Sequence, residues 1–299
     1  MKMSKLRFGR TIAAMVTPFN EDGDVDLYRA QELAVRLSDG GCDAIAVCAT
    51  TGEGPTIFYP QKLDLISAVV NAVGSNCKVI ANVGTNSTAD SISFAQDVAP
   101  LGVDGFMTVV PYYNKPPQEG LYKHFSAIAN SVDLPVILYN IPGRSVINLE
   151  AKTTIALAND VENILGIKEA SSKMDQIQEI IDNVDDEFAI YSGEDSDTVE
   201  IMKRGGTGVI STIANIAPGR MNEITTLCAE GKFDEAQAKS DALLPLMKEL
   251  FVTTNPIMVK EALKILDFGV GGLHLPLVDA TQQQHDELAE VMKKVGEIY

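Results

Sequence analysis

Short β-branched runs alternate with amphipathic stretches along most of the chain, and turn residues separate each run from the next. Strands are predicted at residues 11–17, 44–49, 78–83, 105–110, 136–139, 164–168, 188–192 and 208–211. All eight runs are apolar on both faces, as strands must be when helices cover them outside and a barrel interior packs them inside. Helical patterns fall between them, at 28–37, 60–73, 88–99, 118–130 and 174–181. Such an alternation predicts an α/β fold, a closed (β/α)8 TIM barrel.

The last strand ends near Ser211, and a helix over 219–229 completes the eighth unit. Three further helices are predicted at 233–251, 256–266 and 280–295. The expected organisation is a catalytic barrel over residues 1–230, with a C-terminal three-helix appendage over 231–299 packed on it. An open doubly wound sheet is the rival fold, but it places a glycine-rich phosphate turn after its first strand. Here that strand runs into Thr17-Pro18-Phe19-Asn20, which offers no such turn.

Composition narrows the function. A chain of 299 residues, 45% hydrophobic and 22% charged, suits a barrel with some extra helix. Its net charge of −17 argues against a nucleic-acid partner, and the nearest approach to a basic cluster is the pair Lys203–Arg204. Cys42, Cys48, Cys77 and Cys228 show no CxxC spacing, and two of them sit among apolar strand residues as buried thiols would. The opening MKMSKLRFGR carries no apolar leader run, and no stretch reaches membrane length, so a cytoplasmic setting without membrane contact is expected. His124, His274 and His285 do not pair at metal-ligand spacing, so no metal is expected.

Barrel chemistry sits at the carboxyl ends of the strands. Lys168 stands out there. Nearly all the other lysines fall in helices, loops or strand starts, where a solvated charge is the simple reading. A lysine near the end of an apolar strand must be paired or have its pKa lowered, and a neutral amine is what attacks a carbonyl. A salt bridge with Glu169 is the structural alternative, weakened because adjacent strand residues point to opposite faces. Tyr139, one strand earlier, is a candidate proton shuttle, although a strand Tyr taken alone is more often packing. Thr50 and Thr51 offer hydroxyls and amides to a small carboxylate, with Gly52 permitting close approach, or they form a simple turn. Arg144 follows a Pro-Gly turn and offers a bidentate carboxylate clamp, or a surface salt bridge. The segment Gly205-Gly206-Thr207-Gly208 is a weaker candidate for a phosphate cradle.

With AAMVTPF from Ala13, TTGE from Thr50, PYYNKP from Pro111, LYNIPGR from Leu138, GIKEA from Gly166, SGED from Ser192, GVIS from Gly208 and TNPIMVK from Thr254, the chain resembles the dihydrodipicolinate synthase family. The likeness covers nearly the whole chain. TTGE is shared across the wider pyruvate-aldolase superfamily, whereas the double Tyr, Arg144 and NPIMVK together are more specific. The resemblance implies an imine between Lys168 and pyruvate, with no cofactor beyond that covalent link. It implies Thr51, Gly193 and the Ile210 backbone around the pyruvate, and Arg144 on the carboxylate of aspartate semialdehyde. Tyr139, Thr50 and Tyr113 would relay protons, with Tyr113 supplied by a neighbouring subunit of a homotetramer. A lysine-inhibition site is implied around Gly54, Pro55, Tyr59, Lys62, Asn86, Asp90 and Tyr112. Lys62 there sets one ammonium against an incoming one, so weak inhibition is expected. The alternatives are a sister lyase for N-acetylneuraminate or keto-deoxy sugar acids, a non-catalytic barrel serving as scaffold or sensor, and a phosphate-binding isomerase.

Overall fold

The structure, a computed structural model, describes residues 5–297. Residues 1–4 and 298–299, which the predicted ranges and the reading of the first ten residues include, lie outside them. Eight parallel strands close into a barrel in chain order. They are β1 (Thr11–Ala14), β2 (Ala44–Val47), β3 (Lys78–Asn82), β4 (Gly105–Val109), β5 (Val136–Asn140), β6 (Ile164–Glu169), β7 (Ala189–Ser192) and β8 (Gly208–Ser211). At the seam, Thr11 of β1 registers on Val209 of β8. The (β/α)8 expectation is met.

The helices are α1 (Leu27–Asp39), α2 (Tyr59–Val73), α3 (Thr88–Val98), α4 (Gln118–Ala129), the single turn α5 (Pro142–Ser145), α6 (Ala151–Asp160), α7 (Met174–Asn183), α8 (Thr198–Lys203) and α9 (Pro218–Ala229). Beyond the barrel come α10 (Phe233–Glu249), α11 (Ile257–Ile265) and α12 (Gln282–Val295). Local chemistry fixes several starts. Asp26 accepts from the Arg29 amide, Ser87 from the Asp90 amide, and Thr281 with Gln284 forms a capping box. No helix among the described residues is long and apolar enough to cross a membrane.

Two apolar clusters divide the core. The larger packs strands against helices. The smaller fills the barrel, where Ala14, Ala44 and Ala46 leave room for Tyr139 and Tyr191. All four cysteines are buried and free.

Two predicted strands overrun by two residues or more. β1 stops three residues early because the Val16 amide turns to the Asn215 side chain instead of a neighbouring strand. β2 stops at Val47 because Cys48 takes φ +59°, which a strand cannot hold.

One irregularity positions the chemistry. Val136 pairs with Ile164, but the next residue, Ile137, pairs with Gly166, so Leu165 is an extra residue on β6. Such a bulge shifts the side-chain phase of everything beyond it. As a result Lys168 registers on Tyr139, whereas an unbroken ladder would place Ile167 there.

Candidate active site

Lys168 is only 4% exposed, near the carboxyl end of β6. Its ammonium nitrogen lies 4.4 Å from the centroid of the Tyr139 ring. It has no hydrogen-bond or ion-pair partner among the described residues. Glu169 faces the other way, as strand alternation requires. It accepts from Asn140 Nδ2 at 3.0 Å, from the Ser171 amide at 2.8 Å and from Gln176 Nε2 at 3.0 Å. The salt-bridge alternative is therefore absent, and burial raises the Glu169 carboxyl above its ordinary value.

A cavity of about 400 Å³ opens over Lys168. Tyr139, Thr50, Thr51, Arg144, Gly193 and Glu194 are among its lining residues. Five strand ends or the loops after them thus meet at one mouth: those of β2, β5, β6, β7 and, through Thr212, β8. Gly193 is needed there for space, since a Cβ would lie 2.5 Å from the Ala170 Cβ. Thr51 is buried and its Oγ1 is within 2.9 Å of Asn255 Nδ2, while Arg144 donates to the Asn255 carbonyl at 3.3 Å. Asn255, in the loop before α11, therefore joins two predicted carboxylate-binding residues from outside the barrel. It lies in the TNPIMVK segment that carries the resemblance, but a polar residue in a loop gives no sign of the partners it reaches.

The acidic pair after β7 lies in the SGED segment, which by itself assigns neither residue a role. Asp195 is buried and accepts from the amides of Thr212 and Ile213 at 3.1 and 2.9 Å. It thereby pins the β8 loop, and burial raises its carboxyl above the ordinary range. Glu194 faces the cavity, and its backbone is held by Ser192 Oγ, which donates to the Glu194 carbonyl at 2.6 Å.

A second buried lysine contradicts the solvated reading of helical lysines. Lys260 on α11 is fully buried, ion-paired with Glu53 at 2.8 Å and bonded to the Gly272 carbonyl at 2.6 Å. Its ammonium also sits 4.1 Å over the Phe19 ring. Burial pulls Lys260 down to about 8, against the opposite pull of Glu53. The other Glu53 oxygen accepts from the His274 amide at 2.9 Å. Glu53 itself holds φ +52° directly after the Thr50-Thr51-Gly52 turn, so this network braces that turn.

Not every predicted residue enters the cavity. Tyr113 is 90% exposed with φ +75°, and Ile210 is buried in the barrel interior. Tyr112 lines a second cavity of about 360 Å³, which shares Thr50, Tyr139 and Arg144 with the first. Tyr59 and Lys62 both lean on Phe94, at 5.2 and 5.5 Å, and the Tyr59 hydroxyl donates to Asp97. The Asn86 carbonyl accepts from Asn114 Nδ2, and Asp90 lies in the first turn of α3. None of Tyr59, Lys62, Asn86 or Asp90 lines either cavity. The phosphate cradle is overturned. The amides of Gly205, Gly206 and Thr207 already bond to the carbonyls of Met202, Ile201 and Ile190, at the barrel end opposite Lys168.

The model of the Dihydrodipicolinate synthetase family matches residues 7–295. A 4-hydroxy-tetrahydrodipicolinate synthase from Moorella thermoacetica is 46% identical over 291 residues, covering 97% of this chain and 99% of that protein. The crystal structure of DHDPS from Cyanidioschyzon merolae with lysine bound superposes with a TM-score of 0.96 at 41% identity, covering 98% of this chain and 99% of the other. The chloride-inhibited dihydrodipicolinate synthase from Acinetobacter baumannii complexed with pyruvate gives 0.95 at 36% identity, covering 97% and 100%.

Proposed function

The chain belongs to the dihydrodipicolinate synthetase family, and we propose that it condenses pyruvate with L-aspartate 4-semialdehyde to 4-hydroxy-tetrahydrodipicolinate, in lysine and diaminopimelate biosynthesis. It is a lyase. The observation that carries this reading is the unpaired, 4% exposed Lys168 beneath a cavity that also holds Tyr139 and Arg144.

Lys168 Nζ attacks the pyruvate C2 carbonyl. Tyr139, whose ring lies 4.4 Å from that nitrogen, protonates the carbinolamine oxygen so that it leaves as water. The imine then loses a C3 proton, and the resulting enamine carbon attacks the aldehyde. Thr51, Gly193 and the Ile210 backbone hold the pyruvate end, while Arg144 grips the semialdehyde carboxylate. Finally the substrate's own amine displaces Lys168 and closes the ring. Thr50 and Tyr113 extend the proton relay from Tyr139. The near-complete exposure of Tyr113 supports a role across a subunit boundary, within a homotetramer. No cofactor enters, because the covalent imine supplies the electron sink.

The division at 230/231 gives a catalytic barrel and a helical region that braces it through Asn255 and Lys260. Four buried free thiols, raised by burial, suit a reducing cytoplasm. Tyr59, Lys62, Asn86, Asp90 and Tyr112 remain the proposed lysine-responsive region.

The direct test is turnover of pyruvate with aspartate semialdehyde beside N-acetylmannosamine and sugar-derived aldehydes. Turnover of the semialdehyde alone is expected. Preference for a sugar aldehyde would assign the chain to a sister lyase.

A further inference from the structure

Glu194 is the one carboxyl among the described residues lining the cavity over Lys168. Its side chain has no hydrogen-bond or ion-pair partner among them, although Ser192 fixes its backbone at 2.6 Å. Asp195 cannot substitute, because it is buried behind and one of its oxygens holds the β8-loop amides. A partly buried carboxyl facing a cavity without a partner is costly unless a ligand supplies one. Lys168 on β6 and Arg144 on α5 lie across the same space.

Under the function proposed above, each of these cations is already committed, Lys168 to the imine and Arg144 to the substrate carboxylate. The aldehyde substrate also brings an α-ammonium, for which the cavity offers this single carboxyl. We propose that Glu194 recognises that ammonium and accepts its proton, freeing the nitrogen that displaces Lys168. This inference rests on the semialdehyde reading of the site.

The step balances. Glu194 takes one proton from the ammonium, and the freed nitrogen pair bonds to C2 as the imine π electrons move to Nζ. One proton then passes from the new nitrogen to Nζ. The C2–Nζ bond breaks with its electrons going to Nζ as the substrate nitrogen forms the ring C=N and passes its last proton to Nζ, and Glu194 returns its proton to the released amine. Burial, with Asp195 beside it, pushes the Glu194 carboxyl up to about 7. Asp197 adds to that push, and Lys168 and Arg144 oppose it. A group so placed exchanges protons readily near neutrality.

The test is Glu194→Gln, assayed with aspartate semialdehyde and with succinate semialdehyde, the same aldehyde without the amine. Loss of one charged hydrogen bond should lower kcat/KM for aspartate semialdehyde by about 10- to 100-fold. The acid limb near neutral pH should flatten. Inhibition by succinate semialdehyde and borohydride trapping of pyruvate should both stay unchanged. Equal weakening with both aldehydes, or no weakening with either, overturns the inference. Should the glutamine variant not fold, the contrast between the two aldehydes in Glu194→Asp reads the same quantity. Wild-type enzyme that traps no pyruvate overturns the functional reading itself, and this inference with it. Wild type that traps pyruvate beside an unaffected Glu194→Gln overturns the inference alone.

Discussion

Two lysines among the described residues are buried, and their surroundings differ in kind. Lys260 is fully enclosed and satisfied, with Glu53 at 2.8 Å, the Gly272 carbonyl at 2.6 Å and the Phe19 ring beneath it. Lys168 is nearly as buried, yet among the described residues its nitrogen has no hydrogen-bond or ion-pair partner and lies 4.4 Å from the Tyr139 ring, beside a cavity. A buried ammonium whose donors are used by the protein has the surroundings of a brace, whereas one facing an open cavity can meet a ligand, which is the role proposed for Lys168. Burial alone therefore does not mark the reactive amine. Unsatisfied burial at a barrel mouth does.

That contrast can be broken in four ways, the first with the largest effect. Lys168→Ala removes the nucleophile, so turnover should fall by at least about 10⁴-fold, with the melting temperature nearly unchanged. A variant that keeps substantial turnover would move the imine elsewhere. Tyr139→Phe should slow turnover by about 10²–10⁴-fold in steady-state assays and leave the circular dichroism spectrum intact, because it deletes one proton shuttle. Equal activity would take Tyr139 out of the relay.

Lys260→Met should act on stability instead. It strands the buried Glu53, which costs about 3–5 kcal/mol, readable by chemical denaturation, while a pyruvate imine still forms on Lys168. A loss of imine without loss of stability would reverse the roles assigned to the two lysines. The smallest effect concerns Lys62, a third, half-buried lysine whose nitrogen lies 5.5 Å from the Phe94 ring. Its ammonium opposes a second one nearby. Free lysine at millimolar concentration should therefore inhibit weakly or not at all, and strong inhibition in the same assay would refute this.

A pH titration sharpens the contrast further. Glu194 is raised from its ordinary value to about 7, chiefly by burial. Its folded-state value exceeds the unfolded one, so its contribution to stability is full below the ordinary Glu range and is lost as pH rises through about 7. Denaturation from pH 4 to 8 should thus show a smaller decline for Glu194→Gln than for wild type.

The barrel was legible because its signal is redundant: each strand repeats the same apolar run between turns. Strand ends were less so. Cys48 closes β2 through a left-handed backbone conformation, and Asn215 captures the Val16 amide after β1. Both depend on partners remote in sequence. The helices α6 and α8 were not distinguished, one carrying Thr153 and Thr154 in its first turn and the other only six residues long. Lys168 was legible because an ammonium closing an apolar strand is costly to bury without a partner or a chemical task. Lys260 was hidden by the ordinary rule that helical lysines are solvated, although Ile257, Met258 and Val259 before it form a run too apolar for a surface helix. Glu194 and Asn255 sit in loops, and only folding shows that both reach the same cavity. The bulge at Leu165 leaves no trace in composition, yet it sets Lys168 against Tyr139.

The most direct measurement is mass spectrometry of the protein after incubation with pyruvate and borohydride, followed by peptide mapping. The predicted result is a single reduced pyruvate adduct on the peptide containing Lys168, with Lys260 unmodified. An adduct on any other lysine, or none, would contradict the assignment.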